Sequence, residues 1–186
     1  MDNPANPTKY TLFKVSAMGE TVINYLSYSA TNYYTLGHVT PGGLAYDNVN
    51  SILYLMGQEN VGGVPNYYLY TVNTSNGVMT QIGDQGTEPI NGIAMDFNGI
   101  LWGAGGHLWK LFPDGSAKED HGTLATSIQA IAVGASGKLW GLGHDDINHK
   151  NKIYTIADGG TETLKWSLSD TQGIYQSIMF YYSGAP

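Results

Sequence analysis

Gly92-Ile93-Ala94-Met95-Asp96-Phe97-Asn98-Gly99-Ile100-Leu101-Trp102-Gly103 holds two short apolar runs joined by turn residues. Alternation with period two in each run reads as a strand, and Asn98-Gly99 supplies a hairpin turn with a positive-φ glycine. The first run returns as Gly43-Leu44-Ala45-Tyr46-Asp47, Ala130-Ile131-Ala132-Val133-Gly134 and Ser177-Ile178-Met179-Phe180-Tyr181. The steps from Leu44 to Ile93, Ile131 and Ile178 are 49, 38 and 47 residues. The second run returns as Ile52-Leu53-Tyr54-Leu55-Met56-Gly57 and Lys138-Leu139-Trp140-Gly141-Leu142-Gly143. A period of roughly 40–50 residues carrying several short strands marks the blade of a β-propeller. The expected fold is therefore all-β.

Each unit continues into a third strand: Tyr10–Val15, Tyr68–Val72, His107–Leu111 and Lys152–Ile156. Each of these turns at a glycine (Gly19, Gly77, Gly115, Gly159) into a weaker fourth strand, near 21–26, 78–82, 117–121 and 161–168. No window keeps a helical period. First, third and fourth strands number four each and second strands three, with the chain opening on a third strand and ending on a first. This order predicts four blades, closed by pairing the N- and C-terminal strands, so that no sheet edge is left at the join. The long first interval, Tyr25–Val39, is expected to supply the missing second strand, and two chains completing each other's open blade is the rival arrangement. The predicted domain spans 9–186 behind a tail of residues 1–8. A four-bladed ring has a narrow centre, and Gly43, Ala45, Gly92, Ala94, Ala130, Ala132 and Ser177 are small enough for its inner strands.

Composition narrows the function. Only 12% of the residues are charged, against about 25% in ordinary soluble domains. The net charge is −7, and all eight basic residues are lysine. A chain without arginine lacks the usual bidentate reader of phosphate and guanine, so neither nucleic acid nor an anionic membrane surface is an expected partner. No apolar run approaches the roughly 18 residues that span a bilayer, so membrane insertion is not expected. The opening Met1–Pro7 has neither the basic region nor the hydrophobic stretch of a signal peptide. Cysteine is absent, which excludes a thiolate metal site and a cysteine nucleophile. The compartment stays open: a secreted protein without disulfides and a cytosolic one both fit.

The phrase Gly-Ile-Ala-x-Asp-x-x-Gly-x-Leu-Trp-Gly…Leu-Trp-x-Leu-x-x-Asp-Gly over Gly92–Gly115 resembles the short-blade propeller repeats of lectins such as tachylectin and the tectonins. The similarity runs from Tyr10 to Tyr182. It implies a repeat propeller and a carbohydrate ligand; no binding residue is carried over from those proteins.

Aromatics at matching positions of the repeat (Tyr54, Tyr70, Trp102, Trp109, Trp140, Tyr154) are expected to pack between blades. Those outside the pattern are Tyr25, Tyr28, Tyr33, Tyr34, Tyr67, Trp166, Tyr181 and Tyr182. A sugar's C–H face stacks on an exposed ring while amides read its hydroxyls. Asn91, Gln129 and Gln176 lie just before three of the inner strands, near one mouth of the ring. Tyr33, Tyr34 and Trp166 with these amides form the expected ligand-binding set. Asp47 and Asp96 are expected to cap turns. His144-Asp145-Asp146-Ile147-Asn148-His149 has metal-ligating side chains on a permissive loop but no calcium-loop signature, and no metal or other cofactor is expected. No nucleophile elbow, His-Glu-x-x-His pair or phosphate-binding loop is present. The leading expectation is a non-enzymatic, lectin-like module, monomeric or homodimeric, that binds a glycan. A protein-interaction or adhesion propeller of a secreted or surface protein is the alternative, with the Tyr25–Tyr34 segment as its contact patch. A small hydrolase or isomerase using His144, Asp145 or His149 is the third.

Overall fold

Turn chemistry decides where these strands begin and end. The computed structural model describes residues 11–16, 19–25, 27–28, 40–145 and 150–168, which contain fifteen strands and no helix. The Asp96 carboxylate accepts the N–H groups of Asn98 (2.8 Å) and Ile100 (2.9 Å), and Asp47 accepts those of Val49 (2.9 Å) and Asn50 (3.0 Å). Both residues cap turns as expected. Gly99 and Gly137 take φ values of 79° and 77° at the matching place, and Ser51 adopts the same left-handed conformation at 57°.

The first blade contains β4 (Thr40–Asp47), β5 (Ile52–Val61), β6 (Val64–Val72) and β7 (Val78–Gly86). The second contains β8 (Ile90–Met95), β9 (Leu101–Gly105), β10 (His107–Leu111) and β11 (Glu119–Thr123). The third contains β12 (Ile128–Val133), β13 (Leu139–Asp145), β14 (Lys150–Ile156) and β15 (Glu162–Ser167). Each blade is an antiparallel meander in chain order. Near the N-terminus, β1 (Thr11–Ser16) and β2 (Gly19–Tyr25) form a separate antiparallel pair. The two-residue β3 (Ser27–Tyr28) joins the first blade in parallel beside β7, pairing Ser27 with Val78. That part of the long first interval is thus an extra outer strand of the first blade, not the second strand of a closing blade. The fourth unit expected around Ser177–Tyr181 lies outside the described residues.

The inner strands β4, β8 and β12 lie against one another because they are built from small residues. A Cβ on Gly43 would fall 2.6 Å from the Ile93 nitrogen, and one on Gly92 would fall 2.8 Å from the Ala130 Cα. Glycine is the residue that permits such an approach. Radially outward, alternate residues of each strand face opposite seams. Tyr54, Met56 and Leu69 of the first blade pack on Ile90, Ile93, Leu101, Trp109 and Leu111 of the second. Ala94, Trp102 and Leu108 on the second blade's other face pack on Ile128, Ile131, Leu139, Tyr154 and Ile156 of the third. Each large buried side chain contributes about 1.5–3 kcal/mol relative to exposure. Four of the repeated aromatics thus serve the seams, Tyr54 and Trp109 in the first and Trp102 and Tyr154 in the second, whereas Tyr70 is buried among Leu55, Val72 and Met79 of its own blade and Trp140 is half-buried. Tyr67, grouped with the non-repeating aromatics by sequence, is buried as well, with its hydroxyl donating to Gln58 Oε1 (3.3 Å). It sits two residues before Leu69 on the same face, which is the period-two signal for burial.

Candidate functional site

Strand direction gathers one set of groups at a single end of the blades. The leading ends of β4, β8 and β12 pair with the trailing ends of β5, β9 and β13: Thr40 with Gln58, Ile90 with Gly105, Ile128 with Gly143. Asn91 and Gln129 are at that end, both half-buried. The Asn91 amide donates to the Ile128 carbonyl of the next blade (2.9 Å), tying two inner strands together. The Gln129 amide reaches Ser127 Oγ at 3.3 Å. The chain passes from blade to blade at this end, and each passage is held by a side chain at or just before the start of the next blade's fourth strand. Lys118 Nζ donates to the Gln85 carbonyl, and Glu162 Oε2 accepts the N–H groups of Ala125 (2.8 Å) and Thr126 (3.1 Å). The tether recurs with reversed polarity, a cation on a carbonyl in one blade and a carboxylate on amides in the next. Burial pushes the Glu162 carboxyl above its ordinary range, although the Thr126 and Ala125 amides pull it down.

At the same end the β5–β6 hairpin outruns its inner strand. Glu59, Asn60 and Val61 pair with Asn66, Pro65 and Val64 beyond the last residue opposed by β4. Val61 and Val64 at the tip are about half exposed. Beneath them Glu59 is buried and accepts the Tyr70 hydroxyl hydrogen.

The histidines fall into structural pairs that spacing did not announce. His121 Nδ1 lies 2.6 Å from Asp158 Oδ1, which links β11 to the β14–β15 turn of the next blade. This bond is the first cause holding the Asp158 carboxyl below its ordinary range. The His121 ring also meets Trp102 edge-on (5.1 Å, 88°), and the Trp102 indole donates to Asp96 (3.0 Å). His107 contacts Asp120 at 3.2 Å. His144 is half-buried on β13, with Nδ1 3.2 Å from Asn151 Oδ1, rather than on a loop. His38 and His149 lie outside the described residues, as do Tyr33, Tyr34 and Gln176. Among the described residues no group of three metal-ligating side chains is placed to hold an ion.

The remaining expected contact residue, Trp166, is separate from this end cluster. It sits on β15 at the outer side of the third blade, where its ring lies flat on Trp140 (centroids 5.5 Å, interplanar angle 10°). Of the four tryptophans, Trp102 and Trp109 are buried, Trp140 is half-buried, and Trp166 is 55% exposed. One indole face is thus covered by another indole, and the ring remains open to solvent.

These blades define a β-propeller protein. The same fold occurs in the crystal structure of a nidogen–laminin complex, which matches with a TM-score of 0.61 at 16% identity over 91% of this chain and 65% of that one. Hydrazine synthase of Kuenenia stuttgartiensis matches with a TM-score of 0.54 at 12% identity, over 84% of this chain and 43% of that one. A gluconolactonase of Xanthomonas campestris matches with 0.50 at 17% identity, over 71% and 49%. The chain spans less than two thirds of the length of these proteins, and at such identities the likeness shows the fold alone. No family model and no curated protein matches the sequence. No helix among the described residues is long and apolar enough to cross a membrane.

Proposed function

We propose that this propeller is a non-enzymatic binding module for carbohydrate. The observation that carries the reading is Trp166, a tryptophan laid flat and open on a protein with few charges. A planar indole suits the apolar C–H face of a neutral sugar ring, and burying that face against it releases water from both surfaces. Asn91 and Gln129 at the connector end, with Gln176, Tyr33 and Tyr34, are further proposed contacts apart from Trp166. Their amides and hydroxyls match hydroxyl-rich ligands in donors and acceptors. A glycan array probed with the purified chain tests this: binding to a defined set of sugars supports it, and no sugar retained at millimolar concentration removes it.

A second reading, a protein partner, is favoured by the projecting β5–β6 hairpin with Val61 and Val64 at its tip. The nidogen structure, in complex with laminin, gives one protein of this fold a protein partner. Capture of a surface that survives deglycosylation and is lost in a Val61→Asp/Val64→Asp variant supports this reading over the first. Capture abolished by deglycosylation overturns it.

A further inference from the structure

The outer strands of the three blades can be superposed through their partners. Leu69, Leu108 and Ile153 are equivalent, because they face Met56, Ala104 and Leu142, each two residues beyond the large aromatic Tyr54, Trp102 or Trp140. Leu69 pairs with Gly83, and Ile153 pairs with Trp166. In β11 a bulge between the pairs His107–Thr123 and Trp109–Asp120 sets Gly122 at the matching place beside Leu108. Gly83, Gly122 and Trp166 therefore occupy one position of the repeat.

At two of these positions the missing side chain is what closes the seam. A Cβ on Gly83 would fall 2.5 Å from the Gly115 carbonyl oxygen in the turn of the second blade. A Cβ on Gly122 would fall 2.5 Å from the Gly159 carbonyl carbon in the turn of the third blade. Real Cβ atoms essentially never approach other heavy atoms within 3.0 Å. The third position carries the largest side chain there is, folded back on Trp140. A seam closed backbone to backbone cannot form over Trp166. The face it shares continues through Leu142 to the polar pair His144–Asn151 at the end where the blade connectors gather.

We propose that this interruption is the sugar-binding cleft. One pyranose ring per chain stacks on the outward face of Trp166, with the half-buried His144, held from behind by the buried Asn151, as the nearby polar group of that face, and the two glycine-closed seams admit none. The proposal rests on the carbohydrate reading and adds a place and a stoichiometry to it. Methyl glycosides of glucose, galactose, mannose and N-acetylglucosamine, titrated at millimolar concentration, test it by NMR of the four indole N–H groups and by calorimetry. The expected result is a shift of the Trp166 indole resonance, one site per chain, and binding weakened about thirtyfold in Trp166→Ala. Should that variant fail to fold, the indole resonances of the native chain still decide. A glycoside that binds without moving the Trp166 signal, or at more than one site, overturns the cleft while leaving the carbohydrate reading in place. Binding of no glycoside removes both.

Discussion

Blades two and three meet backbone to backbone at Gly122, whereas blade three offers the indole of Trp166 at the same position of its own outer strand. The closed seam is what the repeat needs in order to stack, since a Cβ there would collide with the Gly159 carbonyl. The open face departs from that requirement and gains a solvent-exposed ring. A repeat that is kept describes the scaffold, and a repeat that is broken marks a surface free to do something else. Exchanging the two residues tests this contrast. Gly122→Trp forces a large side chain into a backbone contact at φ 121° and is expected to cost about 3 kcal/mol or more. Trp166→Gly gives up a ring stack and adds a flexible residue to an exposed strand, a loss of about 1–2 kcal/mol. Thermal unfolding followed by circular dichroism measures both. Equal losses from the two substitutions would mean that the seams are not different in kind.

A second contrast lies inside the first blade, between its two faces. Tyr67 faces the closed seam, and its hydroxyl meets a partly buried Gln58 at 3.3 Å. Tyr70 faces the opposite side, where Leu55, Val72 and Met79 surround it and its hydroxyl donates to the buried Glu59. Removing a donor from a buried carboxylate is the costlier loss, because the oxygen left behind has no water to replace it. Tyr70→Phe is expected to lower stability by about 2 kcal/mol and Tyr67→Phe by less than about 1 kcal/mol. Urea midpoints for the two variants check the order; a reversed order removes the distinction between the faces.

How much of this was legible depends on how local the signal is. Gly43, Gly92 and Ala130 reveal inner strands because the smallness needed there recurs at the blade period. Gly99 and Gly137 reveal turns because each stands beside its own hairpin. The length of β5 was less visible: sequence placed its end at Gly57, yet it runs to Val61, since Glu59–Val61 are opposed only by β6 and carry no inner-strand pattern. The correspondence of Gly83, Gly122 and Trp166 was hidden by one-residue bulges, which shift every count along the fourth strands. Trp166 could be singled out as an aromatic outside the repeat, but not as the replacement of a seam glycine. His121 and Asp158 are 37 residues apart, and nothing in either neighbourhood indicates that they touch.

That His121–Asp158 contact and the Glu162 tether supply the smallest and most diagnostic effects, because the two carboxyls respond to pH in opposite senses. Asp158 is held below its ordinary 3.8, first by the His121 hydrogen bond and then by that ring's charge, although partial desolvation opposes it. A carboxyl lowered in the folded state adds stability above its unfolded value and loses it as pH falls through the folded one. Glu162 is raised above 4.5 by burial, so the folded state prefers its proton. Its contribution therefore declines as pH rises from 4.5 through the raised value. Asp158→Asn should lose stability relative to the native chain near neutral pH and converge with it in strong acid. Glu162→Gln keeps an acceptor for Ala125 and Thr126, so it should match the native chain in acid and gain on it as pH rises. Asp158 is well exposed, so solvent screening keeps its effect small. Unfolding midpoints of the three proteins across the acid range provide the check. Two variants that run parallel to each other at every pH would show that neither the inter-blade clamp nor the buried tether is set by charge.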